Sequence, residues 1–254
     1  MQHLRIRKVE KLLRREKADA LLVWNHEGSG QPATAWLSGF TGTWSVLIIT
    51  RTITTPNPSL ERRGGRYLIT DGRYTLQAKR EARGWEIFIA QGQMAAVEIL
   101  ERLIKKERVQ KILFDGSVTP YSTVEELKHS VRQTTPGLAD SATPFAKGDK
   151  SSASADLGTS FYKGGIKTQV EFISRKRILQ ELRVVKEKEE IGLLREAAKI
   201  AGRVFTRLVP QVRAGMTEKE IAERLEALCK EEGAEGFAFP TSIASGKNGA
   251  LPHA

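Results

Sequence analysis

Apolar positions along the chain change their rhythm near its middle. In the first half, Ile6, Val9, Leu12 and Leu13 recur at helical spacing. Polar residues surround them, so the pattern predicts an amphipathic helix with one buried seam. Ala20-Leu21-Leu22-Val23-Trp24 is a continuous apolar run bounded by the polar stretch 25–31, which predicts a buried strand. A short helical turn is expected over 32–37. Residues 44–50 and 67–70 are β-rich and joined by a loop holding Pro56-Asn57-Pro58 and Gly64-Gly65, the pattern of a hairpin. A polar helix from Arg73 to Arg83, a strand over 85–90, a helix over 94–107, a strand over 111–114 and a helix after Pro120 follow. Helices and strands in this alternation make an α/β region, a mixed sheet covered by helices.

The second half reads differently. Residues 134–160 are rich in Ser, Ala, Gly, Thr and Pro, with only Leu138, Phe145 and Leu157 as large apolar residues. Such a segment buries too little apolar surface to offset its ordering entropy, and it reads as a linker or insertion. From about Leu179 the period is helical, with a long helix expected over 187–210 whose apolar positions include Ile191, Leu194, Ala198, Val204, Phe205 and Leu208. Thr217-Glu218-Lys219-Glu220 has the spacing of a capping box, and a second amphipathic helix is expected to stop at Gly233. Residues 237–244 read as a strand closed by the turn residues Ser245-Gly246-Lys247-Asn248-Gly249. The expected organisation is a domain over 1–133, a flexible segment over 134–177 and the start of a second domain over 178–254.

Composition adds bounds and no specific chemistry. The 254 residues are 40% apolar and 28% charged, the balance of a globular chain. No apolar run is long enough to span a bilayer, and the charged N-terminal helix is unlike a signal-peptide core, so neither a membrane nor export is expected and the reading is cytoplasmic. The net charge of +11 raises the question of nucleic acid. Its basic residues are spread and interleaved with Glu, and no aromatic platform or zinc-finger spacing accompanies them, so nucleic acid is not expected as a partner. Cys229 is the single cysteine, which excludes an intramolecular disulfide. It shares a helical face with Ile221, Leu225 and Leu228 and reads as a core thiol.

Several segments together resemble one family. Glu181-Leu182-Arg183, Lys186, Glu190-Ile191 and Ala197, then Gly215-Met216-Thr217-Glu218, then Phe239-Pro240, Ser245-Gly246-Lys247-Asn248 and Pro252-His253, resemble the first part of the pita-bread metallopeptidases, in the branch of Xaa-Pro aminopeptidases and Xaa-Pro dipeptidases. Trp36-Leu37-Ser38-Gly39-Phe40, Thr70-Asp71-Gly72-Arg73-Tyr74 and Gln77-Ala78 resemble the creatinase/prolidase N-terminal domain. The resemblance implies an N-terminal α/β domain followed by the helical opening of an incomplete α+β pita-bread domain. It also implies hydrolysis of the peptide bond preceding proline with two divalent metal ions (Mn, Co or Zn), proline-containing peptides as substrates and a homo-oligomer when complete. The family's metal ligands are two aspartates, a histidine and two glutamates, all downstream of the histidine that closes the Pro-His motif. None is expected in this chain, which therefore reads as C-terminally truncated and inactive by itself. His253 matches the family histidine that helps hold the substrate and the developing oxyanion, and it is the candidate catalytic residue.

Other residues have local explanations. Asp71 reads as a helix cap and Arg73 as a structural ion pair; Trp36, Phe40 and Trp44 read as core rather than the lining of an opening. His3, His26 and His129 have no second ligand at metal-binding spacing. Two other functions stay open: creatinase-type hydrolysis without metals, and a non-catalytic binding or oligomerisation module. The fragment reading predicts that residues 1–254 associate, and that a polypeptide ending near Ser130 behaves better.

Overall fold

The computed structural model describes residues 2–29, 32–53, 64–133 and 170–251. Two compact units divide between Val184 and Val185. The first is built on six strands: β1 (Ala20–Asn25), β2 (Ser45–Thr50), β3 (Arg66–Asp71), β4 (Glu86–Ala90), β5 (Lys111–Asp115) and β6 (Glu171–Arg175), in the order β4-β3-β2-β1-β5-β6. β2 runs antiparallel to both neighbours, while β4 is parallel to β3 and β5 lies parallel to both β1 and β6. Every strand except β2 therefore points the same way, and the carboxyl ends of five strands share one edge. The expected β2–β3 hairpin is present, with Ile48 opposite Tyr67; much of its loop lies outside the described residues.

Strand alternation separates two cores. Leu21, Val23, Leu47, Ile49, Leu68 and Leu113 face one side, where α1 (Gln2–Arg15), α2 (Pro32–Ser38), α3 (Thr75–Glu81) and α6 (Ile178–Val184) contribute Leu13, Leu37, Ala78 and Leu179. Leu22, Trp24, Val46, Ile48, Ile69, Ile112 and Phe114 face the other, under α4 (Gln93–Lys106) and α5 (Tyr121–Gln133), which contribute Leu100 and Leu127. Because both faces are covered, β1 and β2 are buried along their whole length, which is why they read as unbroken apolar runs rather than alternating ones.

β6 and α6 extend this unit beyond the sequence reading. The sequence predicts a flexible segment over 134–177 and a second domain from 178; in the structure β6 pairs along β5, and Ile178 and Leu179 enter the first core. Asp115, 1% exposed at the end of β5, makes the connection. Its carboxylate accepts hydrogen bonds from the backbone N–H groups of Ser117, Arg177 and Leu179, each at 3.0 Å, and from the Ser117 hydroxyl at 2.5 Å.

The second unit holds α7 (Lys188–Leu208) and α8 (Glu218–Glu231). A capping box of Glu187 and Glu190 starts α7, and the 3-10 turn Val209–Gln211, carrying Pro210, ends it. Val204, Leu208 and Leu228 form its buried core, with Ile200, Ile221, Leu225 and Cys229 packed against them, so the thiol sits on the apolar face expected for it. At the end of α8, Gly233 has φ +86°; the N–H of Ala234 donates to Cys229 O and that of Gly233 to Lys230 O, a Schellman stop. Residues 237–244, expected as a strand, form none with the described residues and lead to a 3-10 turn at Gly246–Ala250. A β-rich run becomes a strand only when a sheet edge accepts its backbone, and the described part of this unit presents none.

Candidate functional site

The sequence placed its candidate site at the end of the second unit. His253 lies outside the described residues, as does Pro252, whereas the segment leading to them is described up to Leu251. That approach is anchored by α8. Thr217 and Glu220 close the expected capping box: the Glu220 N–H donates to Thr217 Oγ1 at 3.2 Å, and the Thr217 N–H donates to Glu220 Oε2 at 2.7 Å. Glu218, the first residue of α8, points elsewhere. Its carboxylate accepts from the backbone N–H of Ser245 at 2.6 Å, from the Ser245 hydroxyl at 3.2 Å and from Asn248 Nδ2 at 3.1 Å to each oxygen. Donation by the Ser245 N–H, then by Asn248, lowers the Glu218 pKa below the ordinary carboxylate value. The turn is closed on itself by Asn248 N to Ser245 O and Leu251 N to Asn248 O, both at 3.0 Å. Sequence reasoning missed Glu218, because an acidic residue in the first turn of a helix is already explained by the helix dipole.

On the same unit, Arg203 and Arg207 of α7 pair with Glu232 at 2.6 and 2.7 Å, and Arg207 also reaches Glu231 at 2.6 Å. They tie the two helices at the solvent face of their shared core. These are structural pairings rather than a reactive centre.

The second candidate cluster stands at the carboxyl edge of the first unit's sheet, the edge where open α/β sheets carry their ligands. Asp71 caps the 3-10 turn Gly72–Tyr74 by accepting from the Arg73 N–H at 2.9 Å, as its sequence position predicted. The Arg73 guanidinium pairs with Asp71 at 2.8 Å and with Glu27, which follows β1, at 2.9 Å. Hydrogen bonds from Arg73 lower the pKa values of both carboxyl groups, and the two carboxylates raise that of Arg73. Tyr74 adds a contact to Thr43 Oγ1 at 2.7 Å and stands edge-on to Phe40 at 5.7 Å between ring centroids. Glu27 was not anticipated, since its pairing with Arg73 joins two strands that are neighbours only through β2.

The motif residues of this unit are chiefly architectural. Trp36 and Phe40 are buried and Trp44 packs on the core from its rim, as expected. Arg5 and Lys8 lie over the Trp36 ring at 5.0 and 5.3 Å. Gly39 has φ +82°, and a Cβ there would stand 2.9 Å from Glu81 O, so both backbone conformation and space require glycine between Ser38 and Phe40. Glu81 in turn accepts from the Thr41 N–H at 2.8 Å, and Gln77 donates to it at 3.1 Å. His26 stacks on Trp24 at 5.8 Å and contacts Thr123 at 3.3 Å; burial lowers its pKa. Among the described residues, no three His, Cys, Asp or Glu side chains are grouped to hold a metal ion, and no helix is long and apolar enough to cross a membrane.

Comparison with known proteins agrees with this geometry. The family described as Creatinase/Prolidase N-terminal domain matches residues 5–146, more than half of the chain, and Metallopeptidase family M24 matches residues 192–254. An Xaa-Pro dipeptidase of Pyrococcus furiosus is 40% identical over 83 residues, 33% of this chain and 24% of that protein. The uncharacterized peptidase YqhT of Bacillus subtilis is 25% identical over 218 residues, 86% of this chain and 48% of its own length. The solved X-Pro aminopeptidase of Thermotoga maritima superposes with a TM-score of 0.65 at 30% identity, over 93% of this chain and 53% of that one. An Xaa-Pro dipeptidase from Bacillus anthracis, 24% identical, has the same fold over the whole chain with a TM-score of 0.70, covering 56% of its own. This chain thus spans about half the length of such relatives. The match to the Creatinase/Prolidase N-terminal domain over more than half of its length makes this chain a member of the creatinase/prolidase family, with residues 192–254 matching metallopeptidase family M24.

Proposed function

We propose that this chain serves an Xaa-Pro peptidase, supplying the N-terminal domain and the entry to the catalytic domain of an enzyme that cleaves the peptide bond before proline. The observation that supports this reading most is the ordered pair of family matches, with an Xaa-Pro dipeptidase among the relatives by sequence and an X-Pro aminopeptidase among those by structure. His253 is the residue proposed to hold substrate and the developing oxyanion, where a hydrogen-bond donor aimed at the transition state lowers the barrier. The two divalent ions implied by the family are not fitted by the described residues, which offer no three-ligand cluster. Their ligands are proposed to lie outside residues 1–254, and the 254-residue polypeptide is then inactive by itself. The proposed organisation is the N-terminal domain, an intervening segment and the opening of the pita-bread domain; cytoplasmic residence and a homo-oligomeric complete enzyme belong to the same reading.

Two assays test it. Purified residues 1–254, given Xaa-Pro dipeptides and longer Xaa-Pro peptides with Mn, Co or Zn, should release no residue from in front of proline; release would refute the placement of the ligands. A hybrid in which residues 1–254 replace the matching part of YqhT should be assayed with and without His253→Ala. The expected result is Xaa-Pro hydrolysis whose kcat falls about a hundredfold on substitution. An active hybrid indifferent to His253→Ala would remove the assigned role.

A further inference from the structure

β1 and β5 are parallel neighbours, yet the chain leaves them on opposite sides of the sheet. α2 follows β1 onto the face of the first core, and α5 follows β5 onto the other face. Diverging connections open a gap outside the carboxyl ends of the two strands, the position at which open α/β sheets take up small molecules. Here the gap is a cavity of about 300 Å³, bounded by Ser29 and Pro32 after β1, by Asp115 and Val118 at the end of β5, and by Leu179 and Arg183 of α6. Its size falls at the lower end of the roughly 300–1,000 Å³ of ligand pockets.

The lining sorts into an apolar wall and one charge. Pro32, Val118 and Leu179 supply the wall. The carboxylates on the elements that bound the cavity are engaged. Both oxygens of Asp115 accept from backbone N–H groups, Glu181 of α6 takes the Arg15 guanidinium at 2.6 Å, and Glu27, between β1 and α2, takes that of Arg73 at 2.9 Å. Arg183 is the exception. Its side chain is half-buried, and among the described residues it meets no hydrogen-bond or ion-pair partner. A cation partly withdrawn from water without a counter-charge carries a desolvation cost that a bound anion offsets. A guanidinium also presents two parallel N–H donors that match a carboxylate, and the apolar wall suits a carbon body behind it. We propose that the crevice between β1 and β5 binds a small organic carboxylate, with its carboxylate on Arg183 and its apolar body against Pro32, Val118 and Leu179.

The test uses the 254-residue protein and three probes: isovalerate, its uncharged amide isovaleramide, and inorganic phosphate, each titrated while amide NMR resonances are followed. Isovalerate should shift the resonances of Ser29, Val118 and Leu179 saturably. Isovaleramide should bind about tenfold more weakly, the loss expected for a charge-assisted hydrogen bond. Phosphate, which brings no carbon body to the wall, should also bind more weakly than isovalerate. Arg183→Gln should weaken isovalerate about tenfold and leave isovaleramide unchanged, with Arg183→Lys in between because it keeps the charge and loses the fork. Val118 is 39% exposed, so Val118→Glu tests the wall with Arg183 in place: the added carboxylate should abolish isovalerate binding. It also decides the matter should Arg183→Gln fail to fold. Four results would each overturn the proposal: no saturable shift at these amides, isovalerate affinity indifferent to Arg183→Gln in a folded protein, full binding by Val118→Glu, or phosphate or isovaleramide bound as tightly as isovalerate. The readout is binding, so the result stands apart from the outcome of the Xaa-Pro hydrolysis assays.

Discussion

Arg73 shows how a single side chain in a recognisable motif is committed to structure. Its guanidinium joins Asp71 at the end of β3 to Glu27 after β1, across the reversed strand β2. Both carboxyl groups have pKa values lowered by Arg73, so their contribution is present above the ordinary values of 4.5 and 3.8 and is lost as pH falls through the lower folded values. Arg73→Gln should therefore reduce stability slightly at pH 7, and the gap from wild type should close as pH falls below about 4. Urea denaturation of both proteins at several pH values measures this; a gap independent of pH would contradict it. The cap at Asp71 and the pairing of Arg73 were legible from the motif, because an Asp before a turn has few local alternatives. Glu27 was not, since only the strand order brings it near.

At the level of elements, Asp115 binds β6 and α6 to the first unit. Removing a buried carboxylate leaves the N–H groups of Ser117, Arg177 and Leu179 without their acceptor, at a cost of about 1–3 kcal/mol for such a group and more where a charge is involved. Asp115→Ala should thus lower the stability of the first unit by about 3 kcal/mol, with the loss of amide protection concentrated in β6 and α6. Equal loss across the whole sheet would argue against this local role. The helix boundaries, the Thr217 capping box and the Gly233 stop were readable in advance because caps depend on residues three or four apart. The 237–244 strand was misread for the opposite reason: a strand exists only with a partner, and period-two composition does not say whether one is present.

For the whole molecule, the two units differ in how much they bury. The first has a covered sheet with two cores, whereas the second has Val204, Leu208 and Leu228 as its buried cluster and leaves Leu193, Leu194, Phe205 and Phe239 largely exposed. Amide exchange should accordingly be faster across 185–251 than in the sheet of the first unit, and calorimetry should resolve two transitions. One cooperative transition with uniform protection would show instead that the units are energetically one. The structure also corrects the expectation for a polypeptide ending near Ser130. Such a cut would remove β6, bare the edge of β5 and strip Ile178 and Leu179 from the core, so it should associate, and one ending at Val184 should not. Size-exclusion chromatography of the two compares them directly. By itself the sequence determined the local chemistry: helix periods, caps, buried strands, the cysteine on its apolar face and the motifs that carry the family resemblance. These are set by residues within a few positions of one another. Only the tertiary structure decided the return of β6 and α6 to the first unit, the pairing of Glu27 with Arg73 and the reach of Glu218 to Ser245. Each joins positions far apart in the chain, and no local pattern encodes which distant donor or strand edge a group will meet.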